Sequence, residues 1–160
     1  MNKKAKYITQ SALIAALYVA LTFVSSLLSL SSGAIQIRLS EILCVLPLFT
    51  PAAIPGLFIG CVLANILTGC VIWDVIFGSL ATLIGAVLTY YLHKRPFISL
   101  MPPILSNTII IPFVIKFSYG TDFILPYLFL TVGVGEIISV GILGFILYKT
   151  LLPYKNKIFK

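Results

Sequence analysis

Acidic side chains are scarce in this chain: four Asp and Glu stand against 11 Lys and Arg and one histidine in 160 residues. Charged residues of both signs make up only 9% of the sequence, where soluble domains carry about 25%. With 60% hydrophobic residues and a mean hydropathy of +1.13, this excludes a soluble globular domain and points to an all-α integral membrane protein. The lone histidine, His93, stands in the basic stretch His93-Lys94-Arg95, so neither a hydrolytic triad nor a His-rich metal site has its parts. Cys44, Cys61 and Cys70 show no CxxC and no Cys/His metal spacing, and read as small buried hydrophobes. No catalytic residue, metal or cofactor is expected. A GxxxxGK[ST] phosphate loop is missing too, so uphill movement of a solute would need an energy source outside this chain.

The charges that are present are sorted along the sequence. Basic residues gather at Lys3, Lys4 and Lys6, at His93-Lys94-Arg95, and at Lys149, Lys155, Lys157 and Lys160. A nucleic-acid surface would place them on one face of a folded module; clusters at the ends and in one loop instead mark cytoplasmic segments. The partner they imply is the lipid bilayer, with no nucleic acid.

Between the clusters run long apolar segments. The first, residues 7–30, has no small-residue cleavage site ahead of a mature domain and reads as a membrane span rather than a removable signal. Residues 42–73 carry no charge, too long a stretch for one helix of roughly 20 residues. Pro47, Pro51 and Pro55 interrupt it, and the sequence TPAAIP reads as a tight break between two helices. The expectation is one domain, residues 1–160, of six transmembrane helices near 7–30, 40–49, 53–67, 75–92, 98–115 and 123–147. The second of these is short and needs protein neighbours. Six crossings put both termini in the cytoplasm of a cell-membrane protein, and leave Arg38, Glu41, Trp73, Asp74, Lys116, Tyr119 and Asp122 on the outward face.

Three polar residues lie deep in apolar runs: Asn65, Asn107 and Glu136. A carboxylate at mid-membrane depth costs about 2.5 kcal/mol or more, so it is rarely left against lipid. One carboxylate and two amides suit a planar base that offers N–H donors, or a cation. The alternatives are interhelical hydrogen bonding and a proton relay through Glu136. Arg38 with Glu41 also fits a local ion pair, and Trp73 with Asp74 fits an interfacial anchor followed by a helix N-cap. Ala12, Ala16 and Ala20 form a small-residue stripe on the first helix, open to two readings: docking of another protein, or internal packing. Gly56, Gly60 and Ala64 form a second stripe, read as internal packing. Residues 29–34 and 117–121 are candidate lids for their Gly and Ser content.

The ordered motifs QIRLSE, LPLFTPAAIPGLFIGCVLANIL, WDVIFGSLATLIGA, PPILSN and VGVGE, from Gln36 to Glu136, resemble the queuosine-precursor transporter (QueT) family. Its members are substrate-binding S-components of energy-coupling factor (ECF) transporters. The resemblance implies a six-helix S-component-like bundle that joins a transmembrane coupling subunit and two ATPase subunits, with Ala12, Ala16 and Ala20 matching the docking stripe. It implies a deazaguanine ligand, either the aminomethyl precursor of queuosine or queuine. On that reading Glu136 would meet the guanine-like edge, helped by Asn65 and Asn107. Glu41 or Asp74 would meet a cationic arm, the acids being exchangeable, and Trp73, Phe77 or Tyr127 would stack on the ring, with Arg38 nearby. Rival readings are an S-component for a different vitamin, a stand-alone proton-coupled carrier using Glu136, and a purely structural subunit.

Overall fold

The structure, a computed structural model, describes residues 2–30 and 36–159. Among the described residues all regular structure is helical, in six successive helices. These are α1 Lys3–Leu27, α2 Leu39–Leu48, α3 Ala53–Leu67, α4 Ile72–Tyr91, α5 Ile98–Ser118 and α6 Leu125–Ile158. The first and the last three are long and apolar enough to cross a membrane, while α2 and α3 are shorter apolar helices. The expectation of an all-α membrane fold therefore holds. Helix α6 continues past the expected end at 147, because Phe159 stacks on Phe49 at 5.2 Å and Tyr148 packs beside the same ring.

Helix α2 lies inside the bundle. Eight of its 10 residues are buried, including Glu41, Cys44 and Pro47, as expected of a helix that is apolar nearly all round. It adopts 3-10 geometry throughout. At about 2.0 Å per residue such a helix spans about 20 Å, where an α-helix of equal length spans about 15 Å. The tighter winding thus recovers reach for a segment cut short by Pro47 and Pro51. The chain then turns, and Pro55 falls in the first turn of α3, where a missing N–H costs little.

Two close approaches lock the flanking helices. A Cβ on Gly56 would stand 2.8 Å from the Ser11 carbonyl oxygen, and one on Gly60 would stand 2.8 Å from Tyr18 Cβ. The glycine stripe of α3 is therefore the α1 contact, as its spacing suggests. Gly85 of α4 similarly abuts Pro103 of α5, at 2.7 Å to Cα, and the Ser106 hydroxyl donates to the Ala81 carbonyl at 2.9 Å. Ala12, Ala16 and Ala20, by contrast, are exposed on the opposite side of α1.

Helix α6 changes winding where it passes the core. It is α-helical from Leu125 to Glu136, π-helical from Ile137 to Gly144, and α-helical again from Phe145. Such widened turns gather at functional positions, and this one begins immediately after Glu136.

Candidate functional site

A cleft of about 470 Å³ opens at the end of the bundle where α1, α3 and α5 finish and α4 and α6 begin. Its polar lining comes from every side: Thr22 and Ser25 of α1, Arg38 ahead of α2, Asp74 of α4, Tyr119 after α5, and Tyr127 of α6. Beneath it lies a recess of about 20 Å³ bounded by Asn107 and Glu136; Gln36, Arg38, Ile111 and Val132 line both spaces. The larger space falls within the roughly 300–1,000 Å³ typical of small-molecule sites. The recess has room for the tip of one polar group.

Glu136 is 7% exposed, and its Oε2 is a buried oxygen with no hydrogen-bond partner. Three further buried hydroxyls, on Ser40, Thr108 and Ser139, are also unpartnered. They belong to the start of α2, to the residue after Asn107, and to the π-wound turn following Glu136. Because buried polar groups are nearly always paired, four such atoms are unusual, and two of them, on Glu136 and Ser139, lie one turn apart on α6. Gly135 makes the geometry possible, since any Cβ there would collide with the Gln36 carbonyl oxygen. The chain at Gln36 to Arg38 can therefore press against α6 beside Glu136.

Glu41 is differently placed. It is 1% exposed and lines neither space. Its Oε1 accepts from the Tyr18 hydroxyl, and its Oε2 accepts from Cys44 Sγ at 3.0 Å and Asn107 Nδ2 at 3.4 Å. Glu41 was expected near the outer surface; the inward face of α2 buries it instead. Arg38 is half-buried and, among the described residues, forms no ion pair within 4.0 Å. The local Arg38–Glu41 pair is therefore absent from the described contacts, and the guanidinium borders the cleft.

Asp74 sits in the first turn of α4, where Oδ2 accepts from the Tyr119 hydroxyl at 3.0 Å. Burial, followed by the adjacent Asp74 carboxylate, pushes the Tyr119 phenol well above its ordinary range, so it remains a donor. Asn65 Nδ2 donates to the Asp74 carbonyl at 3.2 Å and tethers the α3–α4 turn. Gly78 leaves room for this pair: a Cβ there would lie 3.2 Å from Asn65 Nδ2 and 3.3 Å from Asp74 Oδ1.

Of the sequence-derived residues, the structure thus gathers Arg38, Asp74, Asn107, Tyr127 and Glu136 around the two spaces, with Glu41 and Asn65 directly behind them. Trp73 and Phe77 do not join them. They stack on each other at 6.0 Å and line a separate apolar groove with Phe113 and Phe117. Of the candidate lids, residues 31–34 lie outside the described residues; residues 117–121 bring Tyr119 and Thr121 to the cleft, and Lys116 Nζ donates to the Thr121 carbonyl at 2.8 Å. Cys44 and Cys61 are buried, while Cys70 borders the cleft.

Sequence reasoning passed over Tyr18, Thr22 and Ser25. Their spacing along α1 was the available signal, a polar stripe on the face opposite the alanines, and all three are buried.

Comparison with known proteins adds three findings. The family described as QueT transporter matches residues 8–153. The queuosine precursor transporter QueT of Lactococcus lactis subsp. cremoris (strain MG1363) is 38% identical over 96 residues, an alignment covering 59% of this chain and 56% of that protein. The match therefore spans little more than half the length of that relative. No solved structure matches the chain.

Proposed function

Because the chain belongs to the QueT transporter family, we propose that it captures a queuosine precursor, a deazaguanine, in the cleft above Glu136. The observation that carries this reading is the unpartnered carboxylate oxygen of Glu136 at the floor of a polar cleft. A guanine-like edge presents adjacent N–H donors, and a buried carboxylate with an open oxygen is the acceptor that such an edge requires. The edge would reach into the recess while the ring occupies the larger space. Asn107, already donating to Glu41, completes the edge recognition, and Tyr127 offers the ring a stacking partner.

For the arm, the geometry favours Asp74 over Glu41. Both oxygens of Glu41 already accept hydrogen bonds, whereas Asp74 faces the cleft and is held there by Tyr119 and, through its carbonyl, by Asn65. A ligand ammonium beside Asp74 would form a charge-assisted pair in a partly desolvated place. Both candidate deazaguanines offer this group, a primary ammonium in the aminomethyl precursor and a secondary one in queuine, so the pair fits either. Trp73 and Phe77 are left out of the ligand shell.

Energisation would come from outside the chain, through an ECF coupling subunit and two ATPase subunits. The exposed alanines of α1 support a docking role, since internal packing uses the other face of that helix. The cleft would then open outward, with the basic end and both termini in the cytoplasm.

The test is a titration calorimetry panel on detergent-purified protein: aminomethyl-deazaguanine and queuine against guanine, biotin and riboflavin. Tight binding confined to the deazaguanines is expected. Binding of only a control vitamin would replace the cargo, and uptake by vesicles holding this chain alone would replace the energy source.

A further inference from the structure

The end of the bundle opposite the cleft carries a second concave surface. Arg95, Phe97 and Ile98, ahead of and within the first turn of α5, face Phe145, Lys149 and Leu152 of α6 across a groove of about 400 Å³. Its walls are apolar and aromatic. Phe97, 73% exposed, meets the Phe145 ring edge-on at 5.9 Å between centroids. Its rim is cationic: Lys149 Nζ stands 5.5 Å over the Phe145 ring, and Arg95 is exposed beside it.

Among the described residues, neither cation has a carboxylate to pair with. The four acidic residues of the chain are Glu41, Asp74, Asp122 and Glu136. Two border the cleft or its recess, Glu41 lies directly behind them, and Asp122 is in the α5–α6 connection at the cleft end. Two cations with no acidic side chain beside them among the described residues therefore sit above an apolar furrow between two helices that are long and apolar enough to cross a membrane.

We propose that this groove binds an anionic phospholipid, with the phosphate bridging Arg95 and Lys149 and an acyl chain lying against Phe97, Ile98 and Phe145. The chemistry selects both halves of the molecule. A guanidinium and an ammonium satisfy phosphate oxygens by charge-assisted hydrogen bonds, and basic pockets between membrane helices are suited to anionic headgroups. A zwitterionic lipid carries its own cation next to the phosphate and competes with the two side chains. A free phosphate ester satisfies the rim but leaves the furrow uncovered.

The experiment is native mass spectrometry of the purified full chain in micelles doped with phosphatidylglycerol, phosphatidylcholine or glycerol phosphate. Three proteins are compared: wild type, the pair Arg95→Gln and Lys149→Gln, and the pair Lys155→Gln and Lys157→Gln, which removes equal charge outside the groove. All four cations are exposed, so folding should survive, and thermal melting of each variant checks it. The expected result is retention of phosphatidylglycerol over phosphatidylcholine by wild type, reduced roughly tenfold or more in the groove pair and within about twofold of wild type in the control pair. Equal losses in both variants would assign the preference to diffuse surface charge and overturn the site. So would glycerol phosphate binding as well as phosphatidylglycerol, or wild type showing no preference while the groove is covered only when coupling subunits are added.

Discussion

Two buried carboxylates sit on either side of Asn107 with opposite degrees of satisfaction. Glu41 collects donors from Tyr18, Cys44 and Asn107, whereas Glu136 keeps an oxygen without one. Their substitutions should therefore separate. Glu41→Ala leaves a buried phenol and a buried amide unpaired, at about 1–3 kcal/mol each, and should lower the melting temperature of the ligand-free protein measurably. Asp74→Asn should act on the amine-bearing arm: binding of the aminomethyl-deazaguanine and of queuine, both of which carry a protonatable amine there, is expected to weaken by roughly tenfold or more, read by calorimetry. Unchanged binding of both would remove Asp74 from the arm. The depth of Glu136, Asn65 and Asn107 was legible from apolar runs alone. Which acid stays free was not, because it depends on Tyr18, 23 positions from Glu41 and inside a helix with no charge nearby.

Helices carry the next level of the design: the glycine stripe of α3 packs on α1, while the alanine stripe of α1 lies exposed on the other face of that helix. Replacing Gly60 by Val drives a branched side chain into Tyr18 and Ala15 of α1, and overpacking of this kind costs about 1–3 kcal/mol. The expected outcome is lower thermal stability and, through the Tyr18–Glu41 bond, weaker ligand binding. Ala16→Leu lies on the exposed face of α1. It should leave calorimetric binding unchanged while abolishing co-purification with the coupling subunit; loss of both would return the stripe to internal packing. The prolines disclosed the break between α2 and α3, because they remove backbone donors whatever the tertiary context. The 3-10 winding of α2 and the π-wound stretch of α6 left no comparable trace. IISVGILG is compatible with an ordinary helix, and nothing in its residue types marks the wider winding from Ile137 to Gly144.

Across the whole molecule, charge is segregated along the bundle axis. The carboxylates of Asp74 and Glu136 belong to the polar cleft and its recess, and the basic clusters to the other end. That polarity was readable from sequence because lysine and arginine mark topology. The placement of Trp73 and Phe77 was not: four positions apart, they share a stripe of α4 that meets Phe113 and Phe117 of α5, and spacing alone does not say which neighbour a stripe faces. The polarity also supplies a topology prediction: a single cysteine introduced near Asp122 in a cysteine-free background should react with an impermeant maleimide from outside, and one near Lys155 only after permeabilisation. The most direct measurement is calorimetric titration of aminomethyl-deazaguanine into wild-type protein and Glu136→Gln, with melting curves to confirm that both are folded. Tight binding by wild type and a loss of about 10- to 100-fold in the variant are expected, the worth of a hydrogen bond to a charged group. Equal affinity in two folded proteins would remove Glu136, and the recess around it, from ligand capture.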